Sequence, residues 1–399
     1  MIKQKKIGIA GAIALVVASM VGTGVFTSLG FQTGPLPSVP VILFLWLCGG
    51  LVALCGGLSY VELVRLYPGH GGEYHYIAQV YHKYAAAFSG IISVLAGFAG
   101  PVALAAMGFS AYLGQLLPGL PPLPAAIAGL TLITLFHLFS LRAGSRFQLI
   151  STAVKLLLIL VFIIAGLLFS KGGPVNSGYN TWAPHLIFSK GFAVCLVYVS
   201  FAYSGWNACV YIYHEIDNPG KNIYRSVITG TILVMVLYFL LNYVFLKTVP
   251  LQRLTGVIEV GALSAEAIFG TAGAKIIPGI IALLLVSSIS AMVWIGPRVI
   301  TRISADYGFL RLSRSNSRGA PATAIILQYI ITVVLLLSGT FEQVLAFAGV
   351  LLNLCSCLAV SVLFLHYKKL GFAKLAAPLL YLAATLYSSG YLIVTEIIP

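Results

Sequence analysis

The 399-residue chain is 60% hydrophobic and only 8% charged, against roughly 25% charge in soluble domains, which excludes an ordinary water-soluble globular protein. Its net charge of +14 raises nucleic acid as a partner. The basic residues, however, sit in short loops between apolar runs, where topology signals of membrane proteins belong, so no nucleic-acid partner is expected.

Apolar stretches near the roughly 20 residues that a helix needs to cross a bilayer lie at 8–30, 38–66, 85–116, 123–140, 147–170, 190–213, 224–249, 274–300, 321–338, 342–366 and 375–397. The chain therefore reads as an all-α integral membrane protein of eleven spans. "MIKQKK" before the first run resembles the start of a signal peptide. The apolar run continues past any small-residue cleavage position and further spans follow, so it reads as a retained first span. Inside it, "VGTGVF" (21–26) places two glycines and a threonine where a regular helix is expected.

The second span ends with Glu62 and Arg65, three apart and able to pair on one helix face. "HGGEYHY" (70–76) follows; His70 and Glu73 invite a metal, but the glycines between them argue for a turn into an interfacial helix. "LPGLPPLP" (117–124) separates spans three and four, and Lys155 lies near the middle of span five. Span six carries a second interruption, "FAYSGWN" (201–207), and span eight a serine run, "VSSIS" (286–290). Asn242 and Gln328 read as interhelical hydrogen bonders, and Glu259, Glu266 and Glu342 as solvated residues near the outer surface. The cysteines Cys48, Cys55, Cys195, Cys209, Cys355 and Cys357 all fall in apolar runs, with neither zinc nor disulfide spacing. They read as small packing residues.

Seventeen of the 23 lysines and arginines fall on one side of this arrangement, five on the other, and Lys155 inside a span. The positive-inside bias puts the N-terminus in the cytoplasm and the C-terminus outside.

Two interrupted helices, one in each half, are the sequence pointer to an inverted-repeat transporter with its site near the midplane. The repeats would be 1–170 and 190–367, with 375–398 as an additional span. Irregular backbone at membrane depth survives only where protein or a water-filled cavity covers it. Free N–H groups after a break attract a carboxylate, and free carbonyls before it attract an ammonium. Both together suit a zwitterion, of which an α-amino acid is the simplest. A lone G-x-G is more often a packing contact; the second break and its aromatic neighbours shift the balance toward a pocket.

A lysine at mid-span is costly and functional by default, although Lys155 could also snorkel toward the side of Arg146. Its ammonium would otherwise stand in for a coupling cation, bonded to carbonyls near the first break or to the span-eight serines, or carry a proton. No catalytic triad, zinc helix, phosphate loop or haem motif is present, so neither an enzyme nor an ATP-driven pump is expected, and no metal or cofactor.

The stretches "VGTGVF", "SYVELVRLYPGHGGEYHY" (59–76), "FAYSGWN", "HEIDNPGKNI" (214–223) and "RVITRISADYGFL" (298–310) resemble the amino acid–polyamine–organocation transporter family, and within it the L-type amino acid transporter group. The resemblance implies a LeuT-type 5+5 inverted repeat, with spans 1, 2, 6 and 7 moving against 3, 4, 8 and 9. It implies that Gly22, Thr23 and Gly24 hold the substrate carboxylate. The carbonyls of Met20 and Phe201, with Ala202 and Ser204 nearby, would hold the α-ammonium, and Trp206 and Asn207 would line the side-chain pocket. Lys155 would occupy the place of a sodium ion, with Ser288 as its partner.

Three features depart from the family pattern: eleven spans rather than twelve, Thr23 in place of the usual serine, and no cysteine in "LPGLPPLP" to bond a glycoprotein heavy chain. No disulfide-linked heavy chain is therefore expected. The function implied is sodium-independent transport of neutral amino acids across the plasma membrane by alternating access, through exchange or proton coupling. Neutral substrates are favoured because neither break carries an acidic residue. A polyamine or organic-cation carrier of the same fold, or an amino acid sensor, are the alternatives.

Overall fold

A computed structural model describes residues 6–69, 72–139, 144–169, 176–307 and 321–394. His70 and seven of the basic residues counted in the charge bias, Lys3, Lys5, Arg142, Lys171, Arg311, Arg314 and Arg318, lie outside the described residues. Everything described is helix or connecting turn, apart from one isolated backbone bridge between Ile7 and Ile216.

In chain order the helices are α1 (Ile9–Met20), α2 (Gly24–Thr27), α3 (Val39–Leu66), α4 (Gly72–Val80), α5 (Lys83–Gly114) and α6 (Pro122–Phe139). There follow α7 (Gly144–Leu168), α8 (Lys190–Ala202), α9 (Ala208–Tyr211), α10 (Pro219–Thr248) and α11 (Val260–Tyr307). Then come α12 (Ala322–Ser338), α13 (Phe341–Ser361) and α14 (Phe372–Leu392), and single helical turns at Gly30–Thr33, Leu251–Leu254 and Tyr367–Leu370 carry no label. Among the described residues, seven helical stretches are long and apolar enough to cross a membrane, and four shorter apolar helices accompany them.

The helix ends follow from local chemistry. Ser38 accepts the Val41 N–H and starts α3, Ser189 accepts that of Phe192 and starts α8, and Thr340 with Gln343 forms a reciprocal capping box on α13. Gly270, at φ 66°, breaks α11 into two pieces, so the helix proper begins close to the expected start at 274. Leu132 and Leu168, about 70% exposed, are typical of a large apolar outer face that water would not tolerate and lipid solvates. With the apolar helices, this makes the chain a multi-pass membrane protein.

Inside, α10 packs against α1 and α3, α11 against α5 and α7, and α13 against α8 and α14. Several polar residues behave as expected: Arg65 pairs with Glu62, and Gln328 on α12 donates to the Met292 carbonyl of α11 at 3.2 Å. Asn242 does not. Its amide donates to the Tyr238 carbonyl one turn back in its own helix, at 2.8 Å, the local side-chain-to-backbone bond that competes with an interhelical partner. Glu259, expected to be solvated, is half-buried and accepts from Gln115 at 2.8 Å.

Candidate functional site

Both interruptions open where the glycines stand. α1 stops at Met20, and Val21 adopts φ −75°, ψ 82°, the geometry of an inverse γ-turn. The turn directs the Gly22 N–H onto the Met20 carbonyl at 2.8 Å. The N–H groups of Thr23, Gly24 and Val25 then open the short α2 with no backbone acceptor among the described residues. In the second break, α8 ends at Ala202 and five residues of turn follow before α9. Gly205 has φ +107°, a conformation open to glycine and costly for any other residue.

The two breaks touch. A Cβ on Gly24 would stand 2.6 Å from Ala202 Cα, and one on Gly205 would stand 2.5 Å from the Ser19 carbonyl oxygen. Each break therefore uses a glycine to let the other's backbone approach. Tyr238 of α10 seals the junction: its hydroxyl lies 2.7 Å from the Met20 carbonyl and 3.3 Å from that of Ala202. One hydroxyl proton serves one acceptor at a time, and the shorter contact is to Met20.

Around the junction lies a cavity of about 920 Å³ lined by Met20, Gly22, Thr23, Gly24, Phe201, Ala202, Ser204, Trp206, Asn207 and Ser288, among others. Every residue expected to hold substrate is thus brought to one cavity. The local bonding differs from the simplest expectation in one respect: the Gly22 amide and the Met20 carbonyl are bonded to each other, and the Phe201 carbonyl accepts from the Ser204 N–H at 3.0 Å. The free backbone donors are those of Thr23, Gly24 and Val25 rather than Gly22.

Lys155 is buried, 3% exposed, and its ammonium donates to Ser288 Oγ at 2.7 Å. It makes no bond to a carbonyl of the first break among the described residues. A buried head group bonded across to α11 is the opposite of snorkelling.

The cavity reaches Ile7, Glu215, Arg298 and Ile303 at one end of the bundle. Among the described residues, its lining does not extend to the other end of the bundle. There the Gly256 N–H donates to the Gly30 carbonyl at 2.9 Å, Trp46 donates to Gln32 at 2.9 Å, and Phe31 stacks on Phe341 at 5.4 Å.

Three further features were not read from the sequence. α5 carries a π-helical stretch at Ser93–Ala99, and its Ser93, Gly97 and Phe98 line the cavity; such bulges recur at functional sites. Ser200 Oγ and Trp294 Nε1 are buried without a partner among the described residues, in side chains that line the same cavity. Most pointed is Glu73 on α4, which is 5% exposed and faces the cavity. Its Oε1 accepts from Tyr60 and from Asn207, both at 2.8 Å, and its Oε2 accepts from Tyr211. Gly72 opens α4 at φ +58°, and the carboxylate of the next residue belongs to the cavity wall. Sequence offered only the glutamate itself, directly after two glycines, and no sign of its partners.

The profile of a family described as amino acid permease matches residues 7–399. Among curated proteins, the chain is 25% identical to the b(0,+)-type amino acid transporter 1 of Mus musculus over 355 residues, which is 85% of this chain and 71% of the relative. It is 28% identical to the large neutral amino acids transporter small subunit 2 of Mus musculus over 299 residues, 72% of this chain and 54% of the relative. It is also 27% identical to the Asc-type amino acid transporter 1 of Mus musculus over 286 residues, 69% of this chain and 52% of the relative. These relatives are transporters rather than enzymes, and with a family match that takes in all but the first six residues, the chain belongs to the amino acid permease family.

Proposed function

We propose that the protein is a secondary active transporter of amino acids that works by alternating access, with a LeuT-type 5+5 inverted repeat of residues 1–170 and 190–367 and an additional eleventh span. The observation that carries this reading is the mutual contact of the two breaks, Gly24 on Ala202 and Gly205 on Ser19, over one cavity. A solute bound there touches both halves at once, so its binding favours states in which the halves close on it.

In this reading the substrate carboxylate takes the free N–H groups of Thr23 and Gly24. Gly22 joins them when its bond to Met20 opens, and the same event frees the Met20 carbonyl for the α-ammonium beside Phe201, Ala202 and Ser204. The exchange replaces one backbone hydrogen bond by two charge-assisted ones, which are roughly twice as strong as neutral bonds. Trp206 and Asn207 face the substrate side chain. With the N-terminus cytoplasmic, the open end at Ile7 and Arg298 is the inner one and the closed end at Gly30 and Gly256 the outer one, which is an inward-facing state.

Lys155 supplies a fixed positive charge between α7 and α11, where a coupling cation would otherwise bridge them. Its bond to Ser288 makes sodium unnecessary at that point. Transport then runs as amino acid exchange or proton symport in the plasma membrane, without a disulfide-linked heavy chain.

The test is uptake of labelled amino acids into proteoliposomes, with and without internal substrate, a proton gradient and sodium. Sodium-independent uptake that depends on internal substrate or on the proton gradient is expected. If no amino acid is transported or competes under any of these conditions, the reading fails.

A further inference from the structure

Asn207 has an amide with two different faces, one that donates and one that accepts. The face turned to Glu73 is its nitrogen, with Nδ2 2.8 Å from Glu73 Oε1. A carboxylate offers acceptors only. Turning the amide over would set two oxygens 2.8 Å apart with no proton between them, so the chemistry of the pair fixes which way the amide lies. Glu73 in turn is held by hydroxyls from two other elements, Tyr60 on α3 and Tyr211 on α9. The remaining Asn207 atom, Oδ1, has no partner among the described residues and is not among the buried unsatisfied atoms, while Asn207 itself lines the cavity. Its free lone pairs are open to whatever occupies that space.

We infer that Glu73 is a positioning residue that turns the Asn207 carbonyl toward the cavity. It thereby makes the side-chain wall of the site a hydrogen-bond acceptor, selecting substrates whose side chains donate. The inference rests on the reading that Asn207 borders the substrate side chain. A hydroxyl, amide or ammonium group gains a hydrogen bond at this wall. An aliphatic side chain leaves the carbonyl to water, and a side-chain carboxylate meets a second acceptor with a buried negative charge behind it. Trp206, packed edge-on against Tyr60 with ring centroids 4.8 Å apart, supplies the apolar remainder of the surface.

The isosteric pair threonine and valine isolates the effect, since they differ by a hydroxyl in place of a methyl. Competition binding on the purified full-length protein gives the threonine-to-valine affinity ratio for each variant. Glu73→Met keeps the length of the side chain and removes the acceptor, which frees the amide to turn. The ratio falls by about three- to tenfold, the worth of one neutral hydrogen bond. Glu73→Gln retains a carbonyl that accepts from Asn207, and its ratio stays within about twofold of the parent protein. Asn207→Leu deletes the wall's acceptor with Glu73 intact and lowers the ratio as far as Glu73→Met does. It decides the matter where Glu73→Met does not yield monodisperse protein.

An unchanged ratio in folded Glu73→Met or Asn207→Leu overturns the inference. So does an equal loss for both substrates, which marks a purely structural role. So too does a Glu73→Gln protein that behaves like Glu73→Met, which assigns the effect to charge rather than to the amide's orientation. A failure of the transport reading looks different: the parent protein then binds neither threonine nor valine.

Discussion

Gly24→Ala tests the junction of the two breaks at its tightest point. The added methyl would stand 2.6 Å from Ala202 Cα and 2.7 Å from Ala202 Cβ, where carbon atoms settle at about 3.5–4.0 Å. The nearer atom belongs to the backbone at the end of α8, so no side chain can swing away. The two breaks must part by about 1 Å to restore van der Waals spacing. Overpacking of this kind costs about 1–3 kcal/mol, which is about 5- to 150-fold in an equilibrium constant. In the proposed reading, the state that grips the substrate has the breaks pressed together and bears that strain most. The expected outcome is an amino acid affinity lower by that factor in a competition binding assay on monodisperse protein. Ala202→Gly in the same chain removes the clash with the Ala202 methyl and leaves the clash with its backbone, so rescue is partial. Gly390→Ala on α14 is the control: a methyl there meets nothing within 4 Å, and binding and stability should hold within about 0.5 kcal/mol. Parent-like affinity in Gly24→Ala, or equal effects at Gly24 and Gly390, would refute the idea that the two breaks form one gripping unit.

Lys155→Ala removes the buried charge bonded to Ser288 and should slow turnover at least about tenfold while changing substrate Kd by less than about threefold. Uptake and equilibrium binding measured on the same preparation check this, and unaltered uptake would remove Lys155 from the transport cycle. Tyr238→Phe deletes the hydroxyl between the Met20 and Ala202 carbonyls and should lower unfolding free energy by about 0.5–1.5 kcal/mol. Chemical denaturation in detergent reads the change, and an unshifted midpoint would show that the breaks do not depend on this bridge.

What was legible in the sequence is what backbone chemistry dictates residue by residue. Glycine at 22, 24 and 205 marks places where the chain leaves helical geometry, and the structure has its breaks at residues 21–23 and 203–207. Runs of apolar residues mark helices by length, because in lipid a helix satisfies its own backbone. Gly270 escaped because its break lies in a short segment ahead of the main apolar run, where periodicity carries little signal. The inverse γ-turn at Val21 was also beyond reach. A G-x-G pair permits many departures from the helix, and packing against Tyr238 and Gly205 selects among them.

Glu73 shows a different limit. Its partners Tyr60, Asn207 and Tyr211 are separated from it by 13, 134 and 138 positions, so no local pattern could announce the cluster. Its neighbours in sequence suggested a turn into an interfacial helix, and burying a carboxylate is costly. That cost is met by three donors from two distant segments of the chain, which is a property of the packed molecule. The absence of acid from the two breaks was a sound reading of those segments taken singly. It did not describe the cavity, because a wall is built from whichever elements meet there, and α4 brings the carboxylate that the breaks lack. In the transport reading proposed above, substrate choice rests less on the backbone of the two breaks than on the side chains that line the cavity, Asn207 of the second break among them. On the inference drawn from the Glu73–Asn207 pair, one hydrogen bond sets the polarity at that point of the wall.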